Sequence, residues 1–326
     1  MRLALRSVLY MADAEAARLA DLLSSSVRAT NRGAFGAALK RTDTIGFVDA
    51  ALLPSLAGDA VGGPVVAVLM TGVRQEILAQ TIELLSTYPW LSHVVSAALY
   101  EKPFARNHLH NLLEQLEHGS DHTAKVGRVA MLARASRRNA RFDRMLEFFE
   151  GHGVTGRTLG NLGDVAEELV MNALYDAPRE SGYLREAVSR TEDIELPPDR
   201  ACEIGYGIKD ECAFIRVRDP FGSLDRARLL QVLSRCRTKT VELDESRGGA
   251  GLGWWRMMSL ATSVSITVVP NQLTNITISL ALQPGPKHLV ATHLHFTPVA
   301  LAETFDVDSL LLADKLMFDN SFTLLA

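Results

Sequence analysis

The chain has 326 residues, of which 47% are hydrophobic and 22% are charged. This is the composition of an ordinary globular protein, and it excludes a disordered, collagen-like or disulfide-scaffold chain. The 34 basic and 38 acidic side chains give a formal net charge of -4, so the molecule as a whole should not attract nucleic acid or anionic lipid. At about 100 to 200 residues per domain, the length predicts two or three domains.

The three cysteines, Cys202, Cys212 and Cys236, are odd in number and too widely spaced for a CxxC zinc site. This usage favours a reducing compartment over a disulfide framework. The amino-terminal sequence lacks the long apolar region and the small-residue cleavage site of an export signal. No stretch approaches the roughly 18 consecutive apolar residues of a membrane-spanning helix. We therefore expect a cytoplasmic protein that does not bind membranes.

Residues 1–118 alternate short apolar runs with helical patterns, which predicts a parallel sheet covered on both faces. The expected fold of this domain is an α/β sandwich of flavodoxin type. Its predicted strands are Ser7–Met11, Thr44–Val48, Val65–Met70 and His93–Tyr100. Its predicted helices are Ala14–Leu23, Gln75–Leu85 and Arg106–Leu116.

A polar stretch near Gly119 marks the expected boundary to a second domain, 119–284. Mostly antiparallel strands with helices gathered on one side predict an α+β sandwich there. The predicted helices are Lys125–Phe149, which is rich in arginine, and Leu162–Tyr175. The predicted strands are Glu203–Ile208, Glu211–Arg218, Ser263–Val269 and Thr274–Leu282. Residues 285–326 form an apolar extension whose role the sequence does not indicate.

Three short motifs in the second domain carry chemically useful residues. Glu168 and Asn172 are four residues apart, so a helix presents both on one face, where they can orient water and ligate magnesium. Asp219 ends a predicted strand and is followed by Gly222, which frees the backbone for close approach. The glycine-rich run 248–253 precedes a helical pattern, and such a turn offers backbone N–H groups to phosphate.

Each motif alone is weak, but their order along the chain resembles that of the GHKL (histidine-kinase-like) ATPases. The domain is most similar to anti-sigma-factor serine kinases and to the catalytic domain of histidine kinases, and the resemblance covers roughly residues 125–284. It implies an α+β sandwich of Bergerat type that binds ATP and Mg²⁺. It also implies that Asn172 ligates magnesium, Glu168 acts as the catalytic base and Asp219 reads adenine. The remaining matches are Gly222 beside Asp219, and Gly249, Gly251 and Gly253 as the hinge of the phosphate-binding lid.

The resemblance makes the stretch Ser223–Arg247 the expected nucleotide lid. Five basic residues of this stretch could meet phosphates, although a solvated helix face is the more ordinary role for most of them. They are Arg226, Arg228, Arg235, Arg237 and Lys239. The sequence departs from the family at Asp176, where many relatives carry a basic group, and this extra carboxylate would repel a triphosphate unless cations offset it.

The first domain resembles the receiver domain of response regulators, with the best match at Glu101-Lys102-Pro103-Phe104. The resemblance implies a possible phosphoacceptor, Asp49, together with Asp13, Thr71 and Lys102. Ala12 occupies one of the acidic places of a working receiver, so we expect a degenerate, receiver-like domain. The alternative is a domain used only for docking or dimerisation.

We therefore expect a cytoplasmic bacterial-type signalling protein that binds ATP and phosphorylates a partner protein on serine or threonine, under control of the receiver-like domain. Two alternatives stay open: a non-catalytic nucleotide sensor or docking scaffold, and an atypical histidine kinase. His122 opens one predicted helix, but no two-helix dimerisation hairpin follows it. From the resemblance we expect a homodimer. Nucleic acid is not an expected partner, because the arginines between 128 and 144 lack interleaved aromatic residues and a recognition pattern.

Overall fold

The computed structural model of the protein describes residues 6–21, 23, 26–29, 31–41, 44–56, 64–70, 74–96, 126–184, 188–209, 211–237, 252–282 and 291–296. Contacts divide the chain into two units of mixed α/β structure. The first comprises Met1–Asp121 with His288–His293, and the second comprises His122–Lys287 with Leu294–Ala326. In the described ranges, no helix combines the length and the apolar character that crossing a membrane would require.

Five parallel strands form the sheet of the first unit, in the order β2-β1-β3-β4-β5. Their bounds are β1 Arg6–Tyr10, β2 Ser26–Arg28, β3 Thr44–Asp49, β4 Val65–Leu69 and β5 His93–Ser96. Every residue of β4 is buried, as is typical of parallel strands that are covered on both faces. The apolar runs therefore identified four of these strands. The short strand β2 was missed because its three residues carry no apolar run.

Within the described ranges, three helices of this unit connect the strands: α1 Asp13–Ala20, α2 Arg32–Leu39 and α3 Arg74–Thr87. Helices α1 and α3 correspond to predicted helices, whereas α2 was not predicted. Two glycines weaken the helical pattern of α2, which is fixed instead by burial of Phe35 and Leu39 and by Asn31, whose side chain accepts the Ala34 N–H at its start. A 3₁₀ segment, Ala50–Leu56, follows β3. The predicted helix Arg106–Leu116 lies outside the described residues.

A sixth strand, β11 (Ala291–Phe296), pairs antiparallel with β5 through its first three residues. His293 lies opposite His93 in this pairing, and both side chains are buried. Their Nδ1 atoms are 3.1 Å apart, so one ring donates a hydrogen bond and the other accepts it. Part of the segment to which the sequence assigned no role therefore completes the sheet of the first unit.

The second unit contains an antiparallel sheet in the order β6-β7-β8-β10-β9. Its bounds are β6 Val126–Leu132, β7 Cys202–Lys209, β8 Cys212–Asp219, β9 Ser263–Val269 and β10 Leu273–Ala281. The four strands predicted after residue 200 correspond to β7, β8, β9 and β10. Alternate residues of β8 and β10 face the helices, among them Val217, Ile276 and Ile278.

The predicted helix Lys125–Phe149 is wrong over its first half. Val126–Leu132 forms strand β6, which pairs along its whole length with β7, and a 3₁₀ turn over Ala135–Arg137 leads into α4 (Arg138–Gly151). Apolar residues at intervals of three mimic a helical pattern, but pairing with β7 satisfies the backbone hydrogen bonds instead. The Asp193 carboxylate accepts the Ser136 N–H at 2.7 Å and so marks where the helical part begins.

Four further helices follow in the part of the unit that the structure describes: α5 Gly156–Met171, α6 Ala177–Glu180, α7 Arg226–Arg237 and α8 Leu252–Leu260. Helix α5 packs on β8 and β10 through a face that includes Leu162, Val165 and Leu169, which agrees with the predicted helix although it starts six residues earlier. A π turn, Asn172–Asp176, joins α5 to α6. Pro178 explains this turn, because a proline cannot continue the regular helical hydrogen-bond pattern.

Gly46 on β3 provides a test of how closely α2 packs on the sheet. A Cβ atom at this position would lie 2.7 Å from Phe35 Cζ and 2.8 Å from Leu39 Cδ2. We expect Gly46→Ala to lower the free energy of unfolding by about 1 to 3 kcal/mol, as overpacked core substitutions do. Gly36→Ala on α2 is the matched control: its Cβ meets nothing within 4 Å, so it should raise stability by about 0.5 to 1 kcal/mol. Urea denaturation of both variants measures the difference, and equal effects would contradict the close packing.

Candidate functional site

A cleft in the second unit lies among α5, the π turn, β8, β10, α7 and α8. It encloses about 70 Å³ and opens to solvent, so the described residues would surround only part of a larger ligand. Its apolar walls include Leu169, Val217, Leu229, Trp254 and Ile276. Its polar groups include Asn172, Asp176, Asp219 and Thr274. Two of the predicted site residues, Asn172 and Asp219, therefore line the same cleft although 47 residues separate them in sequence.

Asp219 is the last residue of β8, and its side chain is almost completely buried. Burial raises the pKa of this carboxyl to about 7, while the backbone N–H groups of Phe221 and Gly222 and the Thr274 hydroxyl partly offset that rise. The Phe221 N–H donates to Asp219 Oδ1 at 3.0 Å. Near neutral pH the carboxyl is therefore present in both forms, one that accepts and one that also donates a hydrogen bond.

Thr274 lies directly opposite Asp219 in the pairing of β10 with β8. Its hydroxyl oxygen is buried, and no group among the described residues meets hydrogen-bond geometry with it, although it is near enough to the carboxylate to favour the charged form. Sequence reasoning missed Thr274. The antiparallel register of two correctly predicted strands would have placed a polar residue there.

Gly222 lies just after Asp219, where the chain leaves β8. Its φ of +57° is in the left-handed region, and a Cβ atom would lie 2.1 Å from the backbone oxygen of Val269. The Asn271 N–H also donates to the Gly222 oxygen at 3.3 Å. The glycine therefore lets this turn pack against the turn between β9 and β10, and the contact fixes the position of Asp219.

Glu168 projects from α5 toward the start of α8, where it meets Gly253. A Cβ atom at Gly253 would lie 2.3 Å from the Glu168 carboxylate, so only glycine permits this approach. Burial raises the pKa of Glu168, and Arg190 partly offsets the rise. A carboxylate with a raised pKa that remains partly exposed is suited to accept a proton.

Asn172 lies one turn after Glu168 at the start of the π turn. The Ala177 N–H donates to the Asn172 oxygen five residues back, so the helix widens at this point. The Nδ2 atom of Asn172 is buried and makes no hydrogen bond of good geometry within the described part of the chain, although it is near enough to Glu168 to favour the charged form of that carboxylate. The amide therefore lies beside Glu168 in the wall of the cleft.

Arg190 is a residue of the site that the sequence gave no reason to select. It forms an ion pair with Asp176, its Nη2 donates to Asn172 Oδ1 at 3.4 Å, and its Nη1 lies 3.9 Å from Glu168 Oε2. Arg179 also contacts Asp176, at 3.4 Å. Two arginines therefore offset the negative charge of Asp176 in this wall of the cleft.

Helix α7 forms the first half of the predicted lid and packs through Leu229, Leu230 and Leu233, which are all buried. Of the lid arginines, Arg228 is paired with Glu180 of α6 at the rim of the cleft. Burial lowers the pKa of Arg226. The lid residue Lys239, the side chain of Arg237 and the hinge glycines Gly249 and Gly251 lie outside the described residues.

The residues predicted for phosphorylation in the first unit are described only in part. Asp49 ends β3, and its Oδ1 accepts the Ala51 N–H at 2.9 Å. Asp13 begins α1 and forms an ion pair with Arg28. Within the ranges the structure describes, no three His, Cys, Asp or Glu side chains are grouped as a metal site would require. Thr71 and Lys102 lie outside these ranges.

No protein-family model matches the chain, and no curated protein sequence matches it.

The raised pKa of Asp219 predicts how stability depends on pH. Because the folded-state pKa of about 7 lies above the ordinary value of 3.8, the folded protein favours the protonated form and loses stability as pH rises through this window. We expect wild type to lose up to about 4 kcal/mol relative to Asp219→Asn between pH 4 and pH 7, since one pKa unit corresponds to about 1.36 kcal/mol. Asp143→Asn, on the exposed face of α4, is the control. Urea denaturation across pH tests this, and a pH-independent difference would contradict it.

Proposed function

We propose that the second unit binds ATP with Mg²⁺ in the cleft between α5 and the sheet. The observation that carries this proposal is the meeting of Asn172 and Asp219 in one cleft beside Thr274. An amide that can ligate a cation and a buried carboxylate that can accept from an amine are the two groups that the sequence motifs assigned to magnesium and adenine. Because Asn172 and Asp219 are far apart in sequence, only the fold brings them into the same cleft.

Asp219 would recognise the base. In its ionised form it accepts a hydrogen bond from an exocyclic amine, and Thr274 beside it offers a hydroxyl that donates or accepts. The walls near these groups are apolar, with Val217 and Ile276 on the sheet and Leu229 on α7. A planar ring held by apolar walls and oriented by a few polar groups is the usual arrangement of a nucleoside pocket.

Asn172 would hold the magnesium ion, with Glu168 in reach of the same region. The donors fit, because amide and carboxylate oxygens are the protein ligands that Mg²⁺ prefers. When bound, the ion would neutralise charge on the phosphates. Arg190 would contribute a second positive charge at this end, and Glu168 would accept the proton of an attacking hydroxyl.

Three features support a GHKL ATPase of Bergerat type for this unit. Helices α5 and α8 carry the Glu168 and Gly253 motifs, β8 ends at Asp219, and β9 and β10 follow the glycine-rich run in the order that the resemblance requires. The strand order 2-1-3-4-5 of the first unit is that of the flavodoxin-like folds, which supports the receiver-like interpretation. Asp49 at the end of β3 stays the possible phosphoacceptor.

The function supported best is therefore that of a cytoplasmic signalling protein that transfers the γ-phosphoryl group of ATP to a serine or threonine of a partner protein, as a homodimer under control of the first unit. A histidine kinase is less favoured, because Val126–Leu132, the first described segment after His122, forms strand β6 rather than a dimerisation helix. A nucleotide sensor without turnover is the second candidate. It is favoured by the Arg190 ion pair with Asp176, which places an arginine on the face where Asn172 would ligate magnesium.

Calorimetric titration with ATP tests the proposed site. We expect Asp219→Asn to weaken ATP binding at least about tenfold, both with Mg²⁺ and with EDTA, because a hydrogen bond to a charged group is lost. Asn172→Ala should weaken binding only when Mg²⁺ is present. Asp143→Asn, which removes an exposed carboxylate on α4, should bind ATP as wild type does. The absence of binding at millimolar ATP, or an unchanged affinity in Asp219→Asn, would contradict the proposal.

A double-mutant cycle tests whether Arg190 offsets Asp176. Arg190→Ala leaves the Asp176 and Glu168 carboxylates facing the triphosphate, so ATP affinity should fall by about tenfold or more. Adding Asp176→Ala should restore most of that affinity, because it removes the repulsion. Arg179→Ala is the control: its side chain is more exposed and should matter less. Equal losses in the single and double variants would show that Arg190 acts without Asp176.

A further inference from the structure

A second cavity of the same unit lies between α4 and the strands β6 and β7, and it shares no lining residue with the nucleotide cleft. Its volume is about 470 Å³. Strand β6 is the last strand on this side of the described sheet, so the cavity opens beside a sheet edge. Its lining includes Arg128, Arg141, Arg144, Glu147, Phe148 and Tyr206.

The lining of this cavity is strongly basic. Arg128 comes from β6, Arg141 and Arg144 come from α4, and Glu147 is the one carboxylate that lines the cavity within the described part of the chain. Arg128 and Arg144 are both exposed to solvent. Burial and the neighbouring charges of Arg144 and Arg137 lower the pKa of Arg141, so the arginines repel one another. An anion would relieve that repulsion.

Tyr206 supplies a neutral donor to the same cavity. It lies opposite Arg128 in the pairing of β6 with β7, which places both side chains on the face of the sheet that α4 covers. Burial raises the pKa of its hydroxyl, and Arg128, Arg141 and Arg144 partly offset that rise, so all three guanidinium groups are near it.

We propose that this cavity binds the phosphate groups of a small phosphorylated molecule. Guanidinium groups present forked N–H donors that match phosphate oxygens, and several that line one cavity favour a multiply charged group. A hydroxyl donor and a scarcity of carboxylates suit the same ligand.

Phosphate groups also occur in nucleic acids, but the arrangement of the aromatic rings in this cavity disfavours a nucleic acid as the ligand. Phe148 packs edge-on against Tyr206 at 5.3 Å between ring centroids and lies 4.3 Å from His152. Rings that pack on each other offer no platform on which unpaired bases could stack. The net charge of -4 also favours a small ligand over a polymer.

Calorimetric titration of the full chain with inorganic tripolyphosphate, in EDTA, tests this site. We expect measurable binding that is weakened at least about tenfold in Arg128→Ala/Arg144→Ala, since two charge-assisted contacts are lost. The charge-matched control is Arg18→Ala/Arg157→Ala, which removes two exposed arginines outside the cavity and should bind as wild type does. Arg190→Ala, which removes the arginine at the phosphate end of the proposed nucleotide site, should also keep its affinity, and this separates the two sites.

Three results would overturn the proposal. They are no binding of tripolyphosphate to wild type, equal binding to wild type and to Arg128→Ala/Arg144→Ala, and loss of binding in Arg190→Ala instead. A parallel titration with a single-stranded 12-nucleotide DNA distinguishes the sources of phosphate. Binding of the oligonucleotide without binding of tripolyphosphate would also overturn the proposal, because it would indicate a polymer-binding surface.

Discussion

Burial of two carboxyl groups on facing elements, Glu168 on α5 and Asp219 at the end of β8, is the constraint to which the second unit adapts. A buried charge is costly unless hydrogen bonds or opposite charges compensate for it, and both groups respond with a raised pKa. Each also depends on a glycine. Gly253 admits the Glu168 carboxylate, and Gly222 lets the chain turn tightly enough for backbone N–H groups to reach Asp219. Neither glycine could be replaced without moving a carboxyl group.

The π turn and Arg190 adapt the same region in a different way. Pro178 prevents a regular continuation of α5, so Asn172 and Asp176 are displaced relative to an ideal helix. Arg190, in a loop 14 residues beyond Asp176, contacts both of these residues and approaches Glu168. One loop side chain is therefore linked to successive turns of the helical segment. A loop arginine thus replaces the basic group that the resemblance leads one to expect at position 176.

The sequence was most informative where local pattern and burial coincide. The continuous apolar runs identified β3 and β4, and the periodic face of α5 located Glu168 and Asn172, because those patterns reflect burial directly. Strand β6 was mistaken for a helix because an edge strand next to an arginine-rich helix carries no clear alternation. Arg190 could not be found, since a loop side chain acquires its partners only through the tertiary fold. Thr274 needed the strand register, which hydrophobic pattern alone does not specify.

The pairing of β5 with β11 has a consequence for synthesis of the chain. His93 meets His293 across 200 residues, so the first unit cannot complete its sheet until the polypeptide has passed through most of the second unit. At a translation rate of about 5 to 20 residues per second, β5 would wait roughly 10 to 40 s for its partner. During that interval the edge of β5 that later binds β11 is unpaired, and an unpaired strand edge is a template for pairing with other chains.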